Sequence, residues 1–147
     1  MTSASSSQVN LAPSGVRRSG YVATIAVCAG LLYLVNNLLE WDAATPLTVD
    51  FEAIVPALNA PLIAGFVVNA IWLLYDAAWI RSVGRIILNL TVIGASALTL
   101  KVFPFDFATY SFNWDAVVTF ALLALIFALV VATIVEIVRL GGMLVNS

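Results

Sequence analysis

Four apolar stretches, each long enough to cross a bilayer as a helix, constrain this chain more than any other feature. They cover residues 21–39, 60–80, 86–103 and 116–140. At 1.5 Å per residue the shortest of them forms a helix about 27 Å long, close to the hydrocarbon thickness of a bilayer. The chain is 63% hydrophobic and only 10% charged, far below the charge content of a soluble domain. We therefore predict an all-α integral membrane protein with a bundle of four transmembrane helices.

The basic residues predict the orientation of these helices. Lys101 lies on one side of the predicted bundle, and the other five basic residues lie on the opposite side: Arg17, Arg18, Arg81, Arg85 and Arg139. By the positive-inside rule, the side with the five arginines faces the cytoplasm. Both termini are then cytoplasmic, and we expect the protein in the cell (plasma or inner) membrane, with the lipid bilayer as its surroundings.

The remaining segments are predicted to form a tail, loops and a turn. Residues 1–20 are polar and rich in Ser, and we predict a disordered cytoplasmic tail ahead of a transmembrane domain at 21–147. Residues 40–59 are predicted to be an outer loop, and Pro46, Pro56 and, just beyond the loop, Pro61 indicate that any helix there is short or kinked. Residues 81–85, RSVGR, are predicted to form a tight inner turn with Gly84 as its flexible element.

The residue types that are missing exclude much chemistry. The chain has no histidine, and Cys28 is its one cysteine. The usual ligands for zinc, copper, haem and iron–sulfur clusters are therefore absent, as are His-based catalytic arrangements. We predict no catalytic residue, no metal and no cofactor, and hence a protein that is not an enzyme. The net charge of −2 and the lack of a basic run also argue against nucleic-acid binding.

Ionisable residues inside the apolar stretches are the first candidate site. Asp76 and Glu136 each lie about one turn from the inner end of a predicted span, and Asn69 precedes Asp76 by seven residues on the same helix face. Arg81, Arg85 and Arg139 are expected close by. The favoured interpretation is an ion-pair cluster that ties helices together at the inner boundary. The alternative is a cation or proton site built from the two carboxylates.

The second candidate site is aromatic. Residues 103–115 read FPFDFATYSFNWD, with rings at Phe103, Phe105, Phe107, Tyr110, Phe112 and Trp114. We place this stretch in the second outer loop, at the water–lipid boundary that Trp and Tyr favour. Two arrangements fit the alternation: a hairpin turning at Ala108–Thr109 with all six rings on one face, or an irregular loop with its rings in the headgroups. The irregular loop is favoured because neither turn residue prefers a positive φ. A hairpin face would be a docking surface for a lipid, a quinone or a partner helix.

Small residues predict where the helices approach one another. In the fourth stretch, Ala121, Ala128 and Ala132 fall within about 40° of one another around the helix axis, so we predict a packing groove there. Similar small residues in the first and third stretches support a compact four-helix bundle. A bundle of this size encloses no wide pore alone, so conduction would need several copies.

Two segments, LVNNLLEWD at 34–42 and VFPFDFATYSFNWD at 102–115, resemble segments of small uncharacterised four-span bacterial inner-membrane proteins. The resemblance extends from the first span to the last. It implies the four-span fold and no particular activity.

Three functions are compatible with these features. The favoured one is a non-catalytic accessory or partner-binding subunit of a membrane complex, with other membrane proteins or further copies of itself as partners. The second is a small oligomeric transporter or channel that uses Asp76 and Glu136. A membrane enzyme that uses only carboxylates is the least favoured, because Asp76 and Glu136 are not part of a catalytic sequence motif.

Overall fold

The computed structural model describes residues 14–40 and 47–145, and these ranges are almost entirely helical. Helix α1 covers Gly15–Asn37 and continues into a short 3-10 turn at Leu38–Glu40. Helices α2, α3 and α4 cover Phe51–Leu74, Ala78–Val102 and Trp114–Val145. All four are long and apolar enough to cross a membrane, and the described ranges hold no β-strand. The prediction of an all-α chain with four potential spans is confirmed.

Helix α1 begins earlier than predicted. It starts at Gly15, so residues 15–20 are helical and the prediction of a disordered tail is wrong for them. The Ser14 hydroxyl accepts a hydrogen bond from the Arg17 backbone N–H at 3.5 Å, which satisfies one of the free donors of the first turn. The rest of the predicted tail, residues 1–13, lies outside the described residues.

Helix α2 also begins earlier than predicted, at Phe51 instead of residue 60. Pro56 and Pro61 lie inside it, so of the two predicted alternatives, a short helix or a kinked one, the short helix is wrong. Each proline removes only one backbone N–H, and the buried side chains of Phe51 and Ile54 anchor the first turn ahead of them. Packing of the helix start therefore outweighs the local cost of the prolines.

The turn between the second and third helices lies at Tyr75–Ala77, so its predicted position at residues 81–85 is wrong. Tyr75 leaves α2 in an extended conformation with φ −145° and ψ 104°, and α3 begins three residues later. Gly84 lies inside α3, where a Cβ would come within 2.7 Å of Trp72 Cζ2 and of Val68 Cγ1. Its role is close helix approach, because the lack of a side chain leaves room for the Trp72 and Val68 side chains of α2 against the α3 backbone.

The four helices form an open row. Cα atoms approach within 8 Å between α1 and α2, between α2 and α3, and between α3 and α4, and between no other pair of these helices. The first and last helices therefore do not meet, whereas in a closed bundle they would be neighbours. Helices α2 and α3 occupy the middle of the row, which explains why they bury more of their residues than α1 and α4 do.

The contact face of α4 differs from the predicted one. Its less exposed residues include a stripe at spacings of three and four, formed by Leu122, Ile126, Leu129, Thr133 and Glu136. Since α3 is the helix that α4 contacts, this stripe is the packing face. Of the three alanines predicted to form a packing groove, Ala121 and Ala128 are exposed and only Ala132 is half-buried, so the groove does not form as predicted. Larger side chains fill the α3–α4 contact instead.

The row has two chemically different ends. One end, here called the arginine end, holds the start of α1, the Tyr75–Ala77 turn, the start of α3 and the last turns of α4. The opposite end, here called the aromatic end, holds the loops at 47–50 and 103–113, which an isolated β-bridge joins between Leu47 and Phe105. The start of α1 and the end of α4 thus lie at the same end, as expected for four helices that alternate in direction.

Candidate functional site: two carboxylates held by arginines

Asp76 is the most enclosed charged group of the arginine end. Its side chain is 1% exposed. Oδ1 accepts hydrogen bonds from Arg81 Nη1 at 2.6 Å and from the Tyr21 hydroxyl at 3.0 Å. Oδ2 lies 3.1 Å from Arg17 Nη1. One carboxylate in the α2–α3 turn therefore holds side chains from both α1 and α3.

The local chain geometry explains this convergence. Arg81 Nη1 also donates to the Asp76 backbone carbonyl at 2.8 Å, so one guanidinium closes the turn against the first turn of α3. Arg17 and Tyr21 are four residues apart and share a face of α1. The Tyr21 ring packs against Trp72 of α2, with ring centroids 5.5 Å apart, which directs its hydroxyl toward Asp76.

The surroundings of Asp76 keep it ionised. Burial raises the pKa of this carboxyl, but the hydrogen bonds from Arg81 and Tyr21 and the charges of Arg81 and Arg17 lower it further than burial raises it. The net pKa lies below the ordinary value. Asp76 is therefore a permanent anion at neutral pH, and proton uptake there is disfavoured.

Glu136 is the second carboxylate of this end, on the packing face of α4. Its Oε1 accepts a hydrogen bond from Arg85 Nη1 at 2.7 Å, and Arg139 Nη1 lies 4.0 Å from the same oxygen. The Ser82 hydroxyl is also near. Within the described residues, however, neither Ser82 Oγ nor Glu136 Oε2 forms a hydrogen bond of good geometry. The Arg85–Glu136 pair joins α3 to α4.

The structure brings together most, but not all, of the residues predicted for this site. Asp76 pairs with Arg81, and Glu136 pairs with Arg85 and Arg139. Asn69 is buried on α2, but its Nδ2 donates to the Gly65 carbonyl at 2.7 Å, four residues earlier on its own helix. The amide is therefore satisfied locally and does not join the carboxylates.

Sequence reasoning missed Arg17, Tyr21 and Ser82 as members of this site. Arg17 had been assigned to a disordered tail, and the early start of α1 is what brings it onto a helix. Arg17 could have been found from its four-residue spacing to Tyr21, which places both on one face of a helix. No proline separates Arg17 from the apolar stretch that begins at Tyr21.

The chemistry open to this arrangement is restricted. Four guanidinium groups surround two carboxylates, so the local charge is positive and a metal cation gains little there. Within the described ranges, no three Cys, Asp or Glu residues lie close enough together to hold a metal ion. The ion pairs have a structural effect: they link α1 to the α2–α3 turn, and α3 to α4.

The aromatic end carries the second candidate site, and its rings fall into two groups. Phe103, Phe105, Phe107 and Tyr110 contact one another in sequence, with centroids 5.5, 5.8 and 6.1 Å apart. Phe112 and Trp114 form a separate edge-on pair at 5.2 Å. The Tyr110 N–H donates to the Phe107 carbonyl at 2.9 Å, which closes a turn at Ala108–Thr109. No strands flank this turn, so the hairpin with six rings on one face does not form and the irregular loop is what the chain adopts.

Backbone contacts fix the start of this loop. Phe103 ends α3 in the left-handed region at φ 44°, which turns the chain sharply and places Pro104 in a fully buried position. The Pro104 carbonyl accepts a hydrogen bond from Thr48 N–H at 3.0 Å. The first rings are therefore held against the 47–50 segment, whereas Tyr110, Phe112 and Trp114 remain 47%, 59% and 42% exposed.

Comparison of the chain with protein-family models, with curated proteins and with solved structures finds no match. The resemblance to small four-span bacterial membrane proteins therefore stays a prediction. The function has to be argued from the arginine end and the aromatic end alone.

Proposed function

We propose that this chain is a non-catalytic multi-pass membrane protein that serves as a partner-binding subunit of a membrane complex, in the cell membrane, with both termini in the cytoplasm. The observation that carries the proposal is the exposed aromatic group Tyr110, Phe112 and Trp114 at the aromatic end. Tyr and Trp are enriched at the energetic centres of protein interfaces, since they bury much area at little conformational cost.

The position of this aromatic group supports a protein partner. Trp114 is the first residue of α4, and Asn113 Oδ1 accepts a hydrogen bond from Ala116 N–H at 3.1 Å, which fixes the helix start beside the rings. Helix α4 is also the last member of the open row, with a neighbour on one side only. A partner helix beside α4 would meet the aromatic group and the uncovered faces of α4 together.

The test is purification of the chain in mild detergent at native expression, with the mass of the intact species measured. We expect a stoichiometric complex that the double variant Phe112→Ala/Trp114→Ala loses, with partner recovery falling about tenfold or more, as expected for interface anchors. Phe66→Ala is the matched control, because Phe66 is 41% exposed on α2, a helix that α4 does not contact.

The outcomes separate two roles of the rings. Loss of the partner in the loop variant but not in the control supports the proposal. A wild-type chain that purifies as a lone monomer contradicts it, and the rings then serve only as an interfacial belt.

A small oligomeric transporter or channel using Asp76 and Glu136 is the second candidate. It is favoured by one observation, the buried Glu136 Oε2 that lacks a protein partner within the described ranges. An aqueous path reaching this oxygen would make Glu136→Gln abolish ion or proton flux in proteoliposomes while leaving the helical content intact. Equal flux with wild-type protein, with Glu136→Gln and with Asp76→Asn excludes this candidate.

A further inference from the structure

The arginine end carries more positive charge than its carboxylates neutralise. Arg17, Arg81, Arg85 and Arg139 make the ion pairs, while Asp76 and Glu136 are the two acids that they share. Two positive charges are therefore left over within the network. One positive charge is left over at each acid, but the two sites differ in how closely the arginines approach. Arg81 and Arg17 lie 2.6 and 3.1 Å from Asp76, whereas Glu136 engages only Arg85 closely.

Arg139 is the least neutralised member of the network. Its Nη1 lies 4.0 Å from Glu136 Oε1, too far for a hydrogen bond, while Arg85 Nη1 lies at 2.7 Å from the same oxygen. The side chains of Arg139 and Arg85 are 57% and 43% exposed. Each described ion pair uses only the Nη1 nitrogen of its guanidinium. Most of the forked donor face of Arg139 is therefore directed to the surroundings, and that geometry matches phosphate oxygens.

The chain beside Arg139 is apolar in the direction of the membrane centre. Val135 and Val131 precede Arg139 by four and eight residues, so all three lie along one face of α4. These valines are 58% and 45% exposed. Because α4 runs from the aromatic end to the arginine end, the valines lie on the membrane-centre side of the guanidinium. A cation at the boundary above an apolar strip is complementary to an anionic headgroup above its acyl chains.

We propose that Arg139, with Arg85 beside it, binds the phosphate of an anionic phospholipid whose acyl chains lie along Val135 and Val131. The only carboxylate of α4 near this place is Glu136, and Arg85 already holds it, so repulsion of the phosphate is small. The inference does not depend on a protein partner at the aromatic end, and it holds for whichever leaflet surrounds the arginine end.

The test measures lipid retention on the purified full chain by native mass spectrometry. Phosphatidylglycerol and phosphatidylcholine with identical acyl chains are the probes. Wild-type protein is expected to retain phosphatidylglycerol preferentially, and Arg139→Gln is expected to lower that retention about fivefold, the effect of one basic residue on an anionic headgroup. Arg139→Lys, which keeps the charge, should retain an intermediate amount.

Lys101→Gln is the matched control, because it removes the same charge from the exposed basic residue at the opposite end of α3. It should leave phosphatidylglycerol retention unchanged, and circular dichroism should report equal helical content for all variants. Equal retention of the two lipids by wild-type protein overturns the proposal. So does an equal loss in Lys101→Gln, or displacement of the lipid by millimolar inorganic phosphate, which would indicate a free-anion site instead.

Discussion

Asp76→Asn is expected to lower the free energy of unfolding by about 3 kcal/mol, the lower end of the range for removing one partner of a buried ion pair. The substitution keeps the size of the side chain but leaves Arg81 and Arg17 without a countercharge. The lower end applies because the Arg17 side chain is 47% exposed and remains hydrated without its partner. Unfolding by titration with a denaturing detergent, followed by circular dichroism, measures the change.

Asp50→Asn is the control for this experiment. Asp50 precedes α2 at the opposite end, is exposed, and makes no side-chain cap hydrogen bond, so the same chemical change should cost less than about 0.5 kcal/mol. Equal stability of the Asp76 and Asp50 variants would show that the arginine network does not hold the helices together.

The same network makes stability depend on pH in a defined direction. Because the pKa of folded Asp76 is lower than the ordinary value of 3.8, its stabilising contribution is complete at neutral pH. It is lost as the pH falls below that ordinary value and through the folded pKa. The Asp76→Asn variant should therefore lose less stability on acidification than the wild-type protein does.

Gly84→Ala is the second substitution with a large expected effect, a loss of about 1–3 kcal/mol through overpacking. The added methyl group would lie 2.7 Å from Trp72 Cζ2 and from Val68 Cγ1, which belong to buried side chains. These side chains or the two helices must then shift, and the adjoining Trp72–Tyr21 contact should loosen. A red shift of tryptophan fluorescence would accompany the loss of stability.

Gly94→Ala on the same helix is the matched control. No heavy atom lies within 4 Å of a Cβ built at Gly94, so the methyl group enters open space. Alanine should then be neutral or stabilise α3 by up to about 1 kcal/mol, because it restricts the unfolded chain. A Gly84 variant as stable as the Gly94 variant would contradict the close approach of α2 and α3.

The sequence was sufficient to predict the number and type of the helices, because hydrocarbon thickness limits what apolar runs of this length can form. It was less informative about where the helices begin and end. Composition placed Arg17 in a polar tail and Pro56 in a loop, yet both are helical. A capping serine ahead of α1 and a buried first turn in α2 decide these starts, and burial is not visible in hydropathy.

The turn at Tyr75–Ala77 was mislocated for a related reason. Gly84 resembles a turn residue in isolation, whereas Tyr75 and Ala77 do not. The turn is held partly by side-chain contacts that turn propensities do not reveal: Arg81 reaches back to Asp76 at 2.6 Å, and Tyr21 of α1 donates to the same carboxylate at 3.0 Å. The open row of helices could not be predicted from the sequence either. The spacing of small residues indicates that a helix packs closely but does not identify the helix that it packs against.

The candidate site was predicted in part. Asp76 and Glu136 were predicted because charged residues are rare in apolar stretches. The three nearby arginines were predicted as their partners, because an unpaired charge in a membrane is costly. The sequence did not indicate which arginine meets which carboxylate, and it missed the contribution of α1. Those pairings depend on the order of helices in the row, which is set by packing.

The central claim is that the four helices cross a membrane with the arginine end in the cytoplasm, and cysteine labelling in intact cells tests it most directly. Thr109→Cys places a thiol in the exposed turn of the aromatic end, and Gly141→Cys places one near the end of α4, while the buried Cys28 of the unaltered chain serves as the blank. A membrane-impermeant maleimide is predicted to label the position 109 thiol in intact cells and the position 141 thiol only after permeabilisation. Labelling of both thiols in intact cells, or of the position 141 thiol alone, would contradict the account.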